Sequence, residues 1–158
     1  MKDMSQATLV GDRELAISRL LDAPRELVWS VWTDPAHIGE WWGPNGFRTT
    51  TEIMELRPGG QWRFVMHGPD GRDYRNRIVY LEVVRPERLV YEHAGEDGDE
   101  PVNFRVTVTF AEEAGKTRLT MRMVFPSPDE RTRVVEEYGA ADGLTQTIGR
   151  LEEYLRRR

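Results

Sequence analysis

The feature that most constrains this chain is a change of hydrophobic period near its end. Phe104, Val106, Val108 and Phe110 stand opposite Arg105, Thr107 and Thr109, and Leu119, Met121, Met123 and Phe125 stand opposite Arg118, Thr120 and Arg122. A period of two with one polar face predicts antiparallel strands covered on one side only. After residue 127 the period lengthens. Val134, Tyr138, Ala141, Leu144, Ile148, Leu151 and Leu155 recur at spacings of three or four, the apolar stripe of a helix. Ser127-Pro128-Asp129-Glu130 supplies its start, a capping box with proline at the first helical position. One continuous helix of roughly 28 residues, about 40 Å long, is expected. Only a sheet seen lengthwise offers a groove that long, so the helix should lie along the sheet's concave face.

The remaining elements fit around this pair. Leu15, Ile17 and Leu21 share one face of a first strand, interrupted by Arg19. Two short helices follow. Pro24 opens one, with Leu27, Val28, Val31 and Trp32 as its stripe, and Asp34-Pro35 opens the other, with Ile38, Trp41 and Trp42 on one face. Gly43-Pro44-Asn45-Gly46 ends that helix. Residues 47–56, the Trp62, Phe64, Met66 run, 72–84 and 87–93 read as strands, separated by Arg57–Gly60, Gly68–Gly71 and Arg85-Pro86. Gly95–Asp99 reads as an acidic loop. The predicted order is β-α-α-β-β-β-β-β-β-α. The fold class is α+β, a curved antiparallel sheet of about seven strands wrapped around a long C-terminal helix, with two short helices after the first strand. Residues 1–12 are expected to be flexible and 13–158 to form a single domain.

Several function classes are disfavoured. The formal net charge is −5 and the arginines are scattered among acids, so no nucleic-acid partner is expected. There is no cysteine, which removes disulfide and thiolate chemistry. No segment approaches the ~20 apolar residues of a membrane span, and the first residues carry no apolar signal core; a cytoplasmic location is expected. His37, His67 and His93 form no metal-binding spacing, and Glu52, Glu55, Glu82 and Glu92 are dispersed. Gly59-Gly60 sits in a hairpin and not before a helix, and no serine lies in a nucleophile elbow. The expectation is therefore no metal, no cofactor and no assigned catalytic residue. Oligomeric state stays open.

The candidate site is a cavity wall. Trp41, Trp42, Trp62, Phe64, Met66, Tyr91, Phe104, Met121 and Met123 are the large apolar set, and many of these should simply be core. Methionines suit irregular ligand shapes. Gly139, Gly143 and Gly149 on the last helix each cost about 1 kcal/mol against alanine; they leave room beside the helix or kink it. Asn76 and Tyr80 share inward parity with Tyr74 and Ile78, and His93 shares it with Leu89 and Tyr91. Tyr138 and Leu144 complete the set from the helix. An inward His93 is either a structural residue or a proton-transfer group, but nothing at a readable spacing orients it. Arg19 is expected to meet an internal acid or an anionic ligand group.

The chain also resembles a known family. Asp22-Ala23-Pro24-Arg25-Glu26-Leu27-Val28-Trp29, Trp32-Thr33-Asp34-Pro35 and Trp41-Trp42-Gly43-Pro44 resemble its opening motif. Leu56-Arg57-Pro58-Gly59-Gly60 with Trp62-Arg63-Phe64 resembles its central hairpin, Pro86–Tyr91 its middle strand, and Leu151–Leu155 its ending. This is the family named for activators of the heat-shock protein 90 ATPase. It lies in the helix-grip superfamily with START lipid-transfer domains, polyketide cyclases and pollen allergens. The resemblance runs from about residue 13 to 156. It implies a helix-grip fold and leaves three functions. The first is a binding domain for a small hydrophobic or aromatic molecule. The second is a cyclase- or dehydratase-type enzyme. The third is a co-chaperone with a chaperone partner, set behind the others because the extra N-terminal domain of the longer activators has no counterpart in these residues. Leu144 stands where the family often has tryptophan, which implies a larger or reshaped cavity.

Overall fold

The computed structural model describes residues 5–95 and 104–158. Residues 96–99 of the acidic loop and the side chain of Tyr138 lie outside what is described. The elements are β1 (Thr8–Val10), β2 (Glu14–Leu21), α1 (Arg25–Thr33), α2 (Pro35–Ile38), β3 (Arg48–Met54), β4 (Gln61–His67), β5 (Asp73–Val84), β6 (Arg88–Gly95), β7 (Phe104–Glu113), β8 (Lys116–Val124), α3 (Pro128–Tyr138) and α4 (Ala140–Arg156). The strands form one antiparallel sheet in the order β1-β2-β8-β7-β6-β5-β4-β3. Among the described residues eight strands stand where seven were expected, because Thr8–Val10 folds back on β2, pairing Leu9 with Leu15.

The predicted alternation sorts the side chains as expected. Leu15, Ile17, Val106, Val108, Phe110, Leu119 and Met121 are buried, while Arg105, Arg118 and Arg122 meet Glu92, Glu113 and Glu14 on the other face. The two short helices cover one end of the concave face. Trp29 and Trp32 of α1 stand edge-on to Phe110 at 5.4 and 5.5 Å. Asp34 caps α2 by accepting from the Ala36 amide at 2.9 Å.

The last helix departs from expectation. It begins at Pro128, with Ser127 Oγ accepting from the Glu130 amide. It does not continue unbroken to residue 155. Gly139 takes φ 61° and ψ 38°, a left-handed conformation that ends α3, and α4 restarts at Ala140. The apolar stripe survives across the break because α4 alone carries Leu144, Ile148, Leu151 and Leu155 into the core. Seventeen residues span about 25 Å, enough to cross the sheet. Meanwhile α3 is tied to the β1–β2 turn by Arg131, which donates to the Gly11 and Glu14 carbonyls.

Candidate functional site

A cavity of about 200 Å³ lies between the sheet and the start of α4. Strand register builds its floor. Ile78, His93 and Phe104 are cross-strand partners in one row, and Tyr80, Tyr91, Val106 and Met123 in the next. From these rows Ile78, His93, Phe104, Tyr91, Val106 and Met123 line the space, joined by Met121 on β8 and by Phe64 and Met66 on β4. The turn after α2 adds Trp42, Gly43 and Pro44, and the helices add Gly139, Ala140, Gly143, Leu144 and Thr147.

The turn wall is fastened to α4. Arg150 Nη1 donates to the Gly43 and Pro44 carbonyls at 2.9 and 3.0 Å, and Gln146 Oε1 accepts from the Asn45 amide. Burial lowers the Arg150 pKa. Gly143 packs against the turn, where an added Cβ would lie in ordinary contact with Pro44 Cγ at 3.4 Å. Gly43, at φ 105°, faces Met66 Cε at 3.1 Å from where its Cβ would be.

Among the described residues the lining carries no Asp, Glu, Lys or Arg side chain, and His93 is its one titratable base. Its polar side-chain groups are the Trp42 indole N–H, Tyr91, His93 and Thr147. Thr147 Oγ donates back to the Gly143 carbonyl at 2.8 Å. His93 Nε2 lies 2.9 Å from Asn76 Oδ1, and Asn76 Nδ2 donates to the Tyr74 carbonyl at 3.0 Å. With the amide oriented that way its oxygen accepts, so His93 carries its proton on Nε2. The imidazole also stacks on Phe104 at 4.9 Å and 4°. Tyr91 is 3% exposed, and its hydroxyl makes no hydrogen bond among the described residues. Burial, with a smaller effect from Tyr80, raises its pKa. It therefore stays a neutral donor at any ordinary pH.

Of the residues singled out from sequence, Trp42, Phe64, Met66, Tyr91, His93, Phe104, Met121, Met123 and Leu144 meet at this space. Four others do not line it. Trp41 is fully buried, donates Nε1 to the Val31 carbonyl at 3.1 Å and packs edge-on against Trp32, so it is core under the helices. Trp62 backs the wall, stacked on Phe64 at 3.8 Å with Nε1 donating to Thr51 Oγ. Asn76 acts behind the wall, through His93. Tyr80 is buried beside Tyr91 and pinned by main-chain bonds to Gly59 and Gly60; its hydroxyl also makes no hydrogen bond among the described residues. Tyr138 lies outside the described side chains. Arg19 finds the internal acid, Glu152, at 3.5 Å, and Gly149 faces Arg19 and not the cavity. Ile78 and Val106 were legible by parity. Pro44, Ala140 and Thr147 were not, because they reach the space only through the turn and the helix break. Among the described residues no cluster of three potential metal ligands occurs, and no helix is long and apolar enough to cross a membrane.

Comparison with known structures supports this architecture. A protein of Arthrobacter aurescens superposes with TM-score 0.88 at 26% identity, over 98% of this chain and 93% of that one. Proteins of Nitrosomonas europaea and Mycobacterium smegmatis give TM-scores of 0.83 and 0.81, each at 28% identity over 94% of this chain and 97% and 96% of theirs. Among curated proteins no match is found. The family model described as Activator of Hsp90 ATPase homolog 1-like protein matches residues 22–156. With that match over most of its length and the helix-grip architecture beneath it, the chain belongs to the Activator of Hsp90 ATPase homolog 1-like family.

Proposed function

We propose that this domain binds a small, largely apolar molecule between the sheet and α4. The observation that carries this reading is a cavity of about 200 Å³ whose walls are almost wholly aromatic, aliphatic and thioether. For scale, a dry apolar cavity of about 150 Å³ accepts benzene. A single ring with a short substituent therefore fits, and its burial supplies the driving force at roughly 25 cal/mol per Å² of apolar surface. The test is thermal stabilisation by single-ring compounds, measured on the wild type and on Leu144→Trp. The added indole enters the space Leu144 borders. The expected result is a concentration-dependent rise in Tm for the wild type that is lost in a folded Leu144→Trp variant. An equal rise in both would place binding elsewhere.

One observation favours a second reading, proton-transfer catalysis of the cyclase or dehydratase type. His93 lines the cavity and has a partner in Asn76 that holds its tautomer, an arrangement a general base or acid uses. Loss of turnover in His93→Ala, with stability intact, would support it. The co-chaperone reading gains nothing from the outer sheet face, where Arg105, Arg118 and Arg122 are engaged with neighbouring glutamates.

A further inference from the structure

We infer that the molecule taken up is neutral and carries a carbonyl oxygen, received by the hydroxyl of Tyr91; the inference rests on the binding role proposed above. The cavity's polar atoms decide this. The Thr147 hydroxyl proton is committed to the Gly143 carbonyl, and the His93 Nε2 proton to Asn76. Tyr91 is different. It is 3% exposed, it lines the space, and its O–H makes no bond among the described residues. Its oxygen is not among the fully enclosed unpartnered atoms of the described residues, which are Gln61 Oε1 and Arg77 Nε, so it keeps surface open to a molecule in the cavity. A water molecule needs several polar partners to stay in such a space, and these walls are mostly apolar. Tyr80, the cross-strand partner of Tyr91, shares the unmatched hydroxyl but does not line the cavity, so Tyr91 is the member of the pair that can address a ligand.

The chemistry of that ligand follows by subtraction. A carboxylate or phosphate would meet no Lys or Arg on the lining, and His93 would have to take up a proton to answer it, so burying the charge is costly. An ammonium would be buried with no anion. An alcohol or phenol brings an O–H of its own, which must compete for the few hydroxyl lone pairs on the lining. A ketone or aldehyde brings an acceptor and no donor, which complements one unmatched O–H within an apolar wall.

Acetophenone and ethylbenzene separate the possibilities, because they share a ring and chain length and differ in a carbonyl against a methylene. Calorimetric or NMR titration would compare both with benzoate, on the wild type and on Tyr91→Phe. The substitution is expected to weaken acetophenone about tenfold, the worth of one net hydrogen bond, and to leave ethylbenzene within about twofold. The infrared carbonyl band of acetophenone bound to the wild type should lie below its position in an apolar solvent. That reading needs no variant to fold. Equal effects on acetophenone and ethylbenzene, an unshifted carbonyl band, or benzoate binding tighter than acetophenone would overturn the inference and leave the binding role standing. Failure of both neutral compounds to bind the wild type would remove the two together.

Discussion

Tyr91→Phe should make the unliganded protein more stable, which is unusual for a change at a fully buried position. The ring stays, so its packing against Tyr80 and its place beside Val106 on β7 are kept. What leaves is a hydroxyl that makes no hydrogen bond among the described residues, on a side chain that is 3% exposed and borders the cavity. A buried, unmatched polar group costs about 1–3 kcal/mol. Part of that is already relieved where the oxygen borders the cavity, so the lower end applies, a gain of about 1 kcal/mol. For a chain of this size the gain corresponds to roughly 2–4 °C in Tm. Urea unfolding followed by tryptophan fluorescence would read it as a higher midpoint at unchanged slope. A loss of 1 kcal/mol or more would show that the hydroxyl is satisfied in the folded protein, and the reasoning about Tyr91 would fail. A stabilising change that weakens ligand recognition is the trade-off expected of a binding residue.

Two further perturbations test the surrounding structure. Trp41→Ala removes a side chain with no exposure and an indole N–H bonded to Val31; it should cost about 3–5 kcal/mol in chemical denaturation, and a cost under 1 kcal/mol would contradict its assignment to the core. Gly139→Ala places a Cβ on a residue at φ 61°; calorimetry should show a loss of about 1–2 kcal/mol, whereas a gain would mean that the two helices merge into one when the glycine is removed.

The sheet was legible in the sequence because its signal is local. Phe104 to Phe110 and Leu119 to Phe125 announce their faces by alternation alone. The helix break was not. Gly139 is visible, but the apolar stripe keeps its spacing on both sides, and only the backbone angle separates a tolerated glycine from a left-handed stop. Trp41 and Trp42 show a second limit. They are adjacent in one motif, yet the turn after Ile38, where both amides donate to the Ile38 carbonyl, sends one indole under the helices and the other to the cavity. The His93–Asn76 pair shows a third. Both residues have inward parity, but their meeting depends on the β5–β6 register, which sets Asn76 opposite Gly95 and Ile78 opposite His93. Periodicity reports faces; it does not report which strands are neighbours or how far they are slid.

The central claim is that an apolar molecule enters the space bounded by β4, β6, β8 and α4. Methionine methyl NMR during titration with ethylbenzene tests it most directly. Met66, Met121 and Met123 line the cavity, and Met54 packs on the core away from it. The account predicts saturable shifts of the Met66, Met121 and Met123 methyl resonances, with Met54 unmoved. Unshifted cavity methyls, or shifts confined to Met54, would contradict it.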